Sequence, residues 1–241
     1  MAGMAERQVK SRERVADHGE VFTAQREVNA MLDLVKQETE CIDSRFLEPA
    51  CGDGNFLTEI LRRKLDAVEA RYKKSAADYE KYAVLAATSI YGVDLLQDNV
   101  EECRKRLFAI WDDAYVNHCK SECRDEVRDA VRFILERNIL CGNALTLKKV
   151  NAAGEDTDEP IIFSEWVFTG KSSVKRSDYR LDVLMKENLD EKNYQQQMTL
   201  FADEVDGSEN WMIDPDDPSR SIPKPIQEFP PVYYWKVQCN D

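Results

Sequence analysis

Apolar residues recur at helical spacing along most of the first 150 positions. Val28, Met31, Leu32 and Val35 form the first such stripe, with Thr23 placed as an N-cap. Phe56, Leu57, Ile60, Leu61, Leu65 and Val68 form the second. Tyr79, Tyr82, Ala83 and Ala86 mark a helix over residues 76–87, and Val100, Cys103, Leu107, Ile110 and Trp111 mark the next. Val127, Val131, Ile134 and Leu135 complete the set. Between them lie short apolar runs at residues 45–48, 89–93 and 138–141, each short enough for a buried strand. Strands alternating with helices predict an α/β fold: a doubly wound parallel sheet, right-handed crossovers and helices on both faces. That unit spans residues 1–150.

The pattern then changes. Residues 151–160 are a polar break, and 160–168 carry enough apolar residues for one or two strands. Residues 179–188 read as a short helix. Residues 190–221 are acidic and contain Asp214-Pro215-Asp216-Asp217-Pro218, a turn-forming cluster, so a loop is expected. Residues 232–237 read as a closing strand. The expectation for 151–241 is therefore an acidic, partly irregular C-terminal region that completes the sheet or docks a partner.

Net charge narrows the function classes. The chain carries −13, and residues 151–241 hold 19 acids against 9 bases. Proteins that grip duplex DNA unaided present a basic face, because phosphate contacts supply most non-specific affinity. Contact with DNA is thus expected only through a partner chain. No apolar run approaches the ~18 residues needed to cross a bilayer, and residues 1–19 lack the apolar core of a signal peptide, so the expected location is cytoplasmic. Seven scattered cysteines, an odd number, suit reduced thiols better than a disulfide framework. His118, Cys119 and Cys123 are the tightest group of soft ligands, but helical surroundings without knuckle glycines favour packed thiols over zinc.

The candidate chemistry lies in residues 46–57, a strand, a glycine turn and the start of a helix. At Gly52 and Gly54 the backbone can take φ > 0, and no Cβ blocks a ligand from lying against it. The position, at the carboxyl end of a strand and the N-terminus of a helix, is where open α/β sheets bind nucleotides. Neither G-x-G-x-x-G nor G-x-x-x-x-G-K-S/T is present, which argues against dinucleotides and a triphosphate cradle. Glu48 ends the strand before Pro-x-x-Gly, where a carboxylate suits an ammonium group. Asp94 ends the second strand, where an acid would bind ribose hydroxyls or simply cap the following helix.

These segments resemble S-adenosylmethionine-dependent DNA methyltransferases of the adenine-modifying restriction–modification type. Residues 47–57 match the family's cofactor motif, and Tyr91-Gly92-Val93-Asp94 matches its ribose-binding acid. Cys141-Gly142-Asn143-Ala144-Leu145 resembles the segment that meets the adenine. His18-Gly19-Glu20-Val21-Phe22-Thr23 resembles the N-terminal segment over the methionine end, with Ala24 where a proline is usual. The resemblance implies a Rossmann-like methyltransferase fold with S-adenosyl-L-methionine as cofactor. It implies cofactor contacts from Phe22, Thr23, Glu48, Pro49, Ala50, Cys51, Gly52, Gly54, Phe56, Asp94, Leu95, Asn143, Ala144 and Leu145. Asn143 would pair with the adenine edge, or else is an ordinary turn residue.

One departure matters. Adenine-modifying members carry Asn/Asp/Ser-Pro-Pro-Tyr/Phe to hold the flipped target base. Here the only Pro-Pro is Pro230-Pro231, preceded by Phe229 and followed by Val232, so catalytic residues remain unassigned. No cysteine follows a proline, which removes a Pro-Cys nucleophile. The resemblance therefore implies a methyltransferase or its cofactor-binding subunit, with a partner chain carrying target recognition or the rest of the catalytic site. The alternatives are a catalytically inactive S-adenosylmethionine-binding regulator, or transfer to another substrate near Trp166, Tyr179 or Tyr233.

Overall fold

A computed structural model describes Arg14 and residues 23–187, 210–215 and 221–240. Phe22 and residues 18–21 lie outside the described residues, as does most of the acidic stretch 190–221.

The apolar stripes become helices: α1 (Gln25–Asp33), α3 (Asn55–Tyr72), α4 (Ala76–Thr88), α5 (Gln97–Cys119) and α6 (Asp125–Asn138), with a single turn α2 (Lys36–Thr39) after α1. The first starts one residue later than expected, after Ala24, which offers no side-chain cap. At α4, Ser75 Oγ accepts from Asp78 N–H (3.2 Å) and caps the helix. Leu57, Leu61 and Val68 of α3 pack with Val100, Leu107 and Trp111 of α5 and Val127, Val131 and Ile134 of α6 in one core.

Three short strands, β1 (Phe46–Glu48), β2 (Ile90–Asp94) and β3 (Ile139–Cys141), pair in parallel in the order β1-β2-β3. Phe46 lies opposite Ile90, and Gly92 opposite Ile139. Each crossover steps the same way, and right-handed crossovers that do so place their helices on one face. Ile90 and Ile139 face that helical core, whereas Tyr91, Val93 and Leu140 face the other side. Helices on both faces were expected; among the described residues a β-hairpin covers the second face, with Leu181 beside it. Its strands are β6 (Ile162–Thr169) and β7 (Ser173–Arg180), paired over eight positions. Phe163, with Ile161 just before the hairpin, packs on Tyr91 and Val93, and Tyr91 Oη donates to the Ser164 carbonyl (2.9 Å).

Among the described residues, the region beyond 150 adds no strand to the parallel sheet. A small hairpin of β4 (Lys148–Val150) and β5 (Asp156–Pro160) precedes β6, and α7 (Leu181–Glu187) follows β7. Strands β8 (Trp211–Ile213) and β9 (Ser221–Pro223) pair with each other. The short β10 (Gln227–Glu228) and β11 (Val232–Tyr233) pair with β7, so the expected closing strand is two residues followed by a 3-10 helix, Tyr234–Cys239. Trp166, Val174, Tyr234 and Val237 share the core of the helices. Gly142 decides how closely the hairpin approaches, because a Cβ there would lie 2.6 Å from Ile161 Cδ1.

β1 is held from behind by Lys64 of α3, which is fully buried. Its ammonium donates to the carbonyls of Cys41 (2.8 Å), Ile42 (3.2 Å) and Ser44 (2.6 Å). Burial pushes its pKa down to about 8, against roughly 10.4 for an unfolded lysine. Between these values the unfolded chain binds more protons, so stability should rise with pH from about 8 upward and be flat, for this group, below it. Urea midpoints at pH 7.5, 8.5 and 9.5 check this against Lys64→Met, which should lack the rise; parallel curves would sink the assignment.

Candidate cofactor site at the rim of the parallel sheet

The turn after β1 is built by backbone. Cys51 N–H donates to the Val93 carbonyl (2.9 Å), prolonging the β1–β2 pairing, and Gly54 N–H closes onto the Cys51 carbonyl (2.8 Å). Gly52 and Gly54 have φ of 53° and 94°, the left-handed region that side chains resist. Gly54 cannot gain a side chain for a second reason: a Cβ would lie 2.6 Å from Cys103 Sγ of α5. Gly54→Ala is expected to cost about 2–4 kcal/mol, the sum of backbone strain and overpacking. Denaturant midpoints report it, and a Cys103→Ala background should restore the steric share alone. An unchanged midpoint for Gly54→Ala would contradict this packing.

Asp94 joins the turn to the second strand. Gly52 N–H donates to Asp94 Oδ2 (2.9 Å), while Leu96 N–H (2.9 Å) and Asn99 Nδ2 (3.1 Å) donate to Oδ1. The carboxylate thus holds the chain entering α5 and fixes the turn at once. With about four lone-pair sites, it retains one for a further donor. Asp94 also ties in β3 through its own carbonyl, which accepts from Gly142 N–H (2.9 Å).

Glu48 is half-buried at the end of β1, and Ala50 N–H donates weakly to its Oε1 (3.4 Å). Burial raises its pKa, and that Ala50 contact offsets the rise in part. Pro49 and Ala50 are exposed beside it, and Phe56 is half-buried on α3. The Cys51 thiol is buried; its hydrogen bond with Cys103 and its burial push the pKa far up, so it stays neutral. On the far side, Leu95 and Leu145 are 42% and 94% exposed, leaving two apolar side chains along an open rim, with Ala144 half-buried between.

Asn143 behaves as a turn residue. Its Oδ1 accepts from Leu145 N–H (3.0 Å) and its Nδ2 donates to Asp156 (2.9 Å), so both ends of the amide are engaged. Thr23 reaches the turn through its carbonyl, which accepts from Asn55 Nδ2 (3.2 Å). The sequence pattern missed Asn99, Cys103 and Arg106, which line one face of α5 behind the turn. Their spacing of four and three residues was the available signal.

The remaining candidates lead elsewhere. Asn240 Nδ2 donates to the Pro230 carbonyl (3.1 Å), and the next strand pairs with β7, so Pro230-Pro231 is fixed against the hairpin. Trp166 and Tyr179 fall on opposite faces of that hairpin, and Tyr233 stacks on Trp235 at 4.7 Å. A cleft of about 540 Å³ lies on the hairpin face of β1, lined by Leu47, Tyr91, Phe163, Tyr179 and Met185 among others. Among the described residues, no three His, Cys, Asp or Glu side chains are grouped to hold a metal ion. His118 stacks on Tyr79 (3.9 Å) and meets Glu69 Oε2 at 2.7 Å. All seven cysteines are free.

No helix among the described residues is long and apolar enough to cross a membrane. Comparison with curated proteins and with solved structures finds no match. A protein-family model described as MmeI, DNA-methyltransferase domain, matches residues 22–205, about three quarters of the chain.

Proposed function

Because the chain belongs to the MmeI-type DNA-methyltransferase domain family, of the restriction–modification type, we propose that it binds S-adenosylmethionine at the rim of β1–β3. We also propose that it serves adenine-N6 methylation of DNA. The observation that carries the cofactor reading is the Gly52–Asp94 hydrogen bond, which brings a positive-φ glycine turn and a strand-end acid together at adjacent parallel strands. In this reading Glu48 accepts the methionine ammonium, and the backbone at Ala50 and Gly52 lies along the amino-acid arm. Asp94 takes a ribose hydroxyl with its remaining lone pair, and the other hydroxyl requires the Gly52 bond to lengthen. Leu95 and Leu145 cover the adenine faces. Asn143 would have to exchange its bond to Asp156 for the adenine edge.

The cofactor, when bound, supplies an electrophilic methyl group on sulfonium. The chain's residues bind and orient it, and proximity provides most of the rate in such transfers. Target recognition and the groups that hold the flipped base belong, in this proposal, to a partner polypeptide, through which the acidic chain meets DNA. A strand beyond β1, stepping the opposite way, would make the sheet doubly wound. We place the protein in the cytoplasm, where its thiols stay reduced.

Isothermal titration of the purified chain with S-adenosylmethionine tests the cofactor reading, which fails if no heat of binding appears. Labelled-methyl transfer to unmethylated DNA by the chain alone would remove the need for a partner.

A further inference from the structure

Arg106, on α5, grips both neighbours of Gly54. Its Nη1 donates to the Asp53 carbonyl (2.8 Å) and lies 2.7 Å from Asp53 Oδ1. Its Nη2 donates to Asn55 Oδ1 (2.9 Å), and Asn55 in turn donates to the Thr23 carbonyl. Asp53 Oδ1 is buried and accepts no well-directed hydrogen bond among the described residues, so the charge of Arg106 is its counterpart there. A glycine turn samples many backbone conformations when unrestrained. Here a planar guanidinium fixes the residue before and the residue after Gly54, and with them the course of the turn that follows Ala50.

We infer that Arg106 is a positioning residue for the amino-acid arm of the cofactor, acting through the bridge from Asp53 to Asn55. The inference rests on the rim being a S-adenosylmethionine site. Lysine cannot replace it, because a single ammonium lacks the rigid fork needed to span both partners. Asn99, on the same face of α5, serves the ribose acid instead. The helix therefore addresses the two ends of the ligand through different side chains, and the two ends can be separated by experiment.

Two probes make that separation on the full chain: S-adenosylhomocysteine, which carries the amino-acid arm, and adenosine, which lacks it. Arg106→Ala and Arg106→Lys should each bind S-adenosylhomocysteine about tenfold more weakly, from lost preorganisation, with adenosine affinity unchanged. Asn55→Ala should behave alike, and the double variant Asn55→Ala/Arg106→Ala should be no weaker than either single, as expected for one shared bridge. Wild-type affinity in Arg106→Ala, equal losses for both probes, or additive losses in the double variant would each overturn the inference. Retained adenosine binding reports a folded variant; if Arg106→Ala does not fold, Arg106→Lys and Asn55→Ala decide the matter. A wild-type chain that binds neither probe defeats the cofactor reading itself. A wild type that binds S-adenosylhomocysteine beside variants that bind it equally defeats the positioning role alone.

Discussion

Asp94→Ala is expected to weaken S-adenosylmethionine binding by about 2–3 kcal/mol, or between roughly 30-fold and 150-fold in Kd, the scale of a lost charged hydrogen bond. Two losses combine. The ribose hydroxyls lose their acceptor, and Gly52 N–H, Leu96 N–H and Asn99 lose the carboxylate that holds them before any ligand arrives. Asp94→Asn should recover little. An amide can satisfy Leu96 through its oxygen only by turning an NH2 toward Gly52 N–H, which places donor against donor. Calorimetry on the three proteins checks this, and an alanine variant with wild-type affinity would remove Asp94 from the site.

Glu80→Ala is expected to produce the largest loss of stability, about 3–5 kcal/mol, as when one partner of a buried ion pair is removed. Glu80 is 5% exposed on α4, and it receives Arg124, Tyr115 Oη and Tyr234 Oη (2.7 Å). Tyr115 Oη also accepts from Arg124 N–H (2.9 Å), so α5, the loop before α6 and the C-terminal 3-10 helix meet at one carboxylate. Burial, and then Glu80 itself, push both phenols up, which keeps them protonated donors. Arg124 is partly open to solvent and can rehydrate, which favours the lower end of the range. A fall of roughly 10 °C in melting temperature follows for a chain of this size, with Glu80→Gln intermediate. A change within the error of the measurement would mean that the cluster holds nothing together.

Much of this architecture is legible in the residues, and the gaps have physical causes. Helices α3, α5 and α6 follow from stripes such as Leu57–Leu61–Leu65, because burial along one face is a local, periodic demand. The glycine turn is legible because few residue types tolerate φ of 94°. The hairpin over the second face is not legible. The one or two strands expected over 160–168 form as Ile162–Thr169, but where that strand settles depends on Gly142 admitting Ile161, a contact between distant positions. Asn143 shows a different limit. Its identity fits either an adenine edge or a turn, and only Asp156, thirteen residues on, reveals where its amide is spent. Glu80, within Asp78-Tyr79-Glu80-Lys81, looks like any solvated helix acid until its tyrosine partners arrive from Tyr115 and Tyr234.

The sheet's first strand has a consequence for handling the protein. Among the described residues β1 pairs only with β2, and Leu47 at its centre is 39% exposed. Such an uncovered seam templates contact between copies, and the net charge of −13 opposes their approach. That repulsion reaches about 10 Å at 0.1 M ionic strength but only about 3 Å at 1 M. Concentrated salt therefore strips away the molecule's own guard against clumping, so dilute buffers should keep it dispersed.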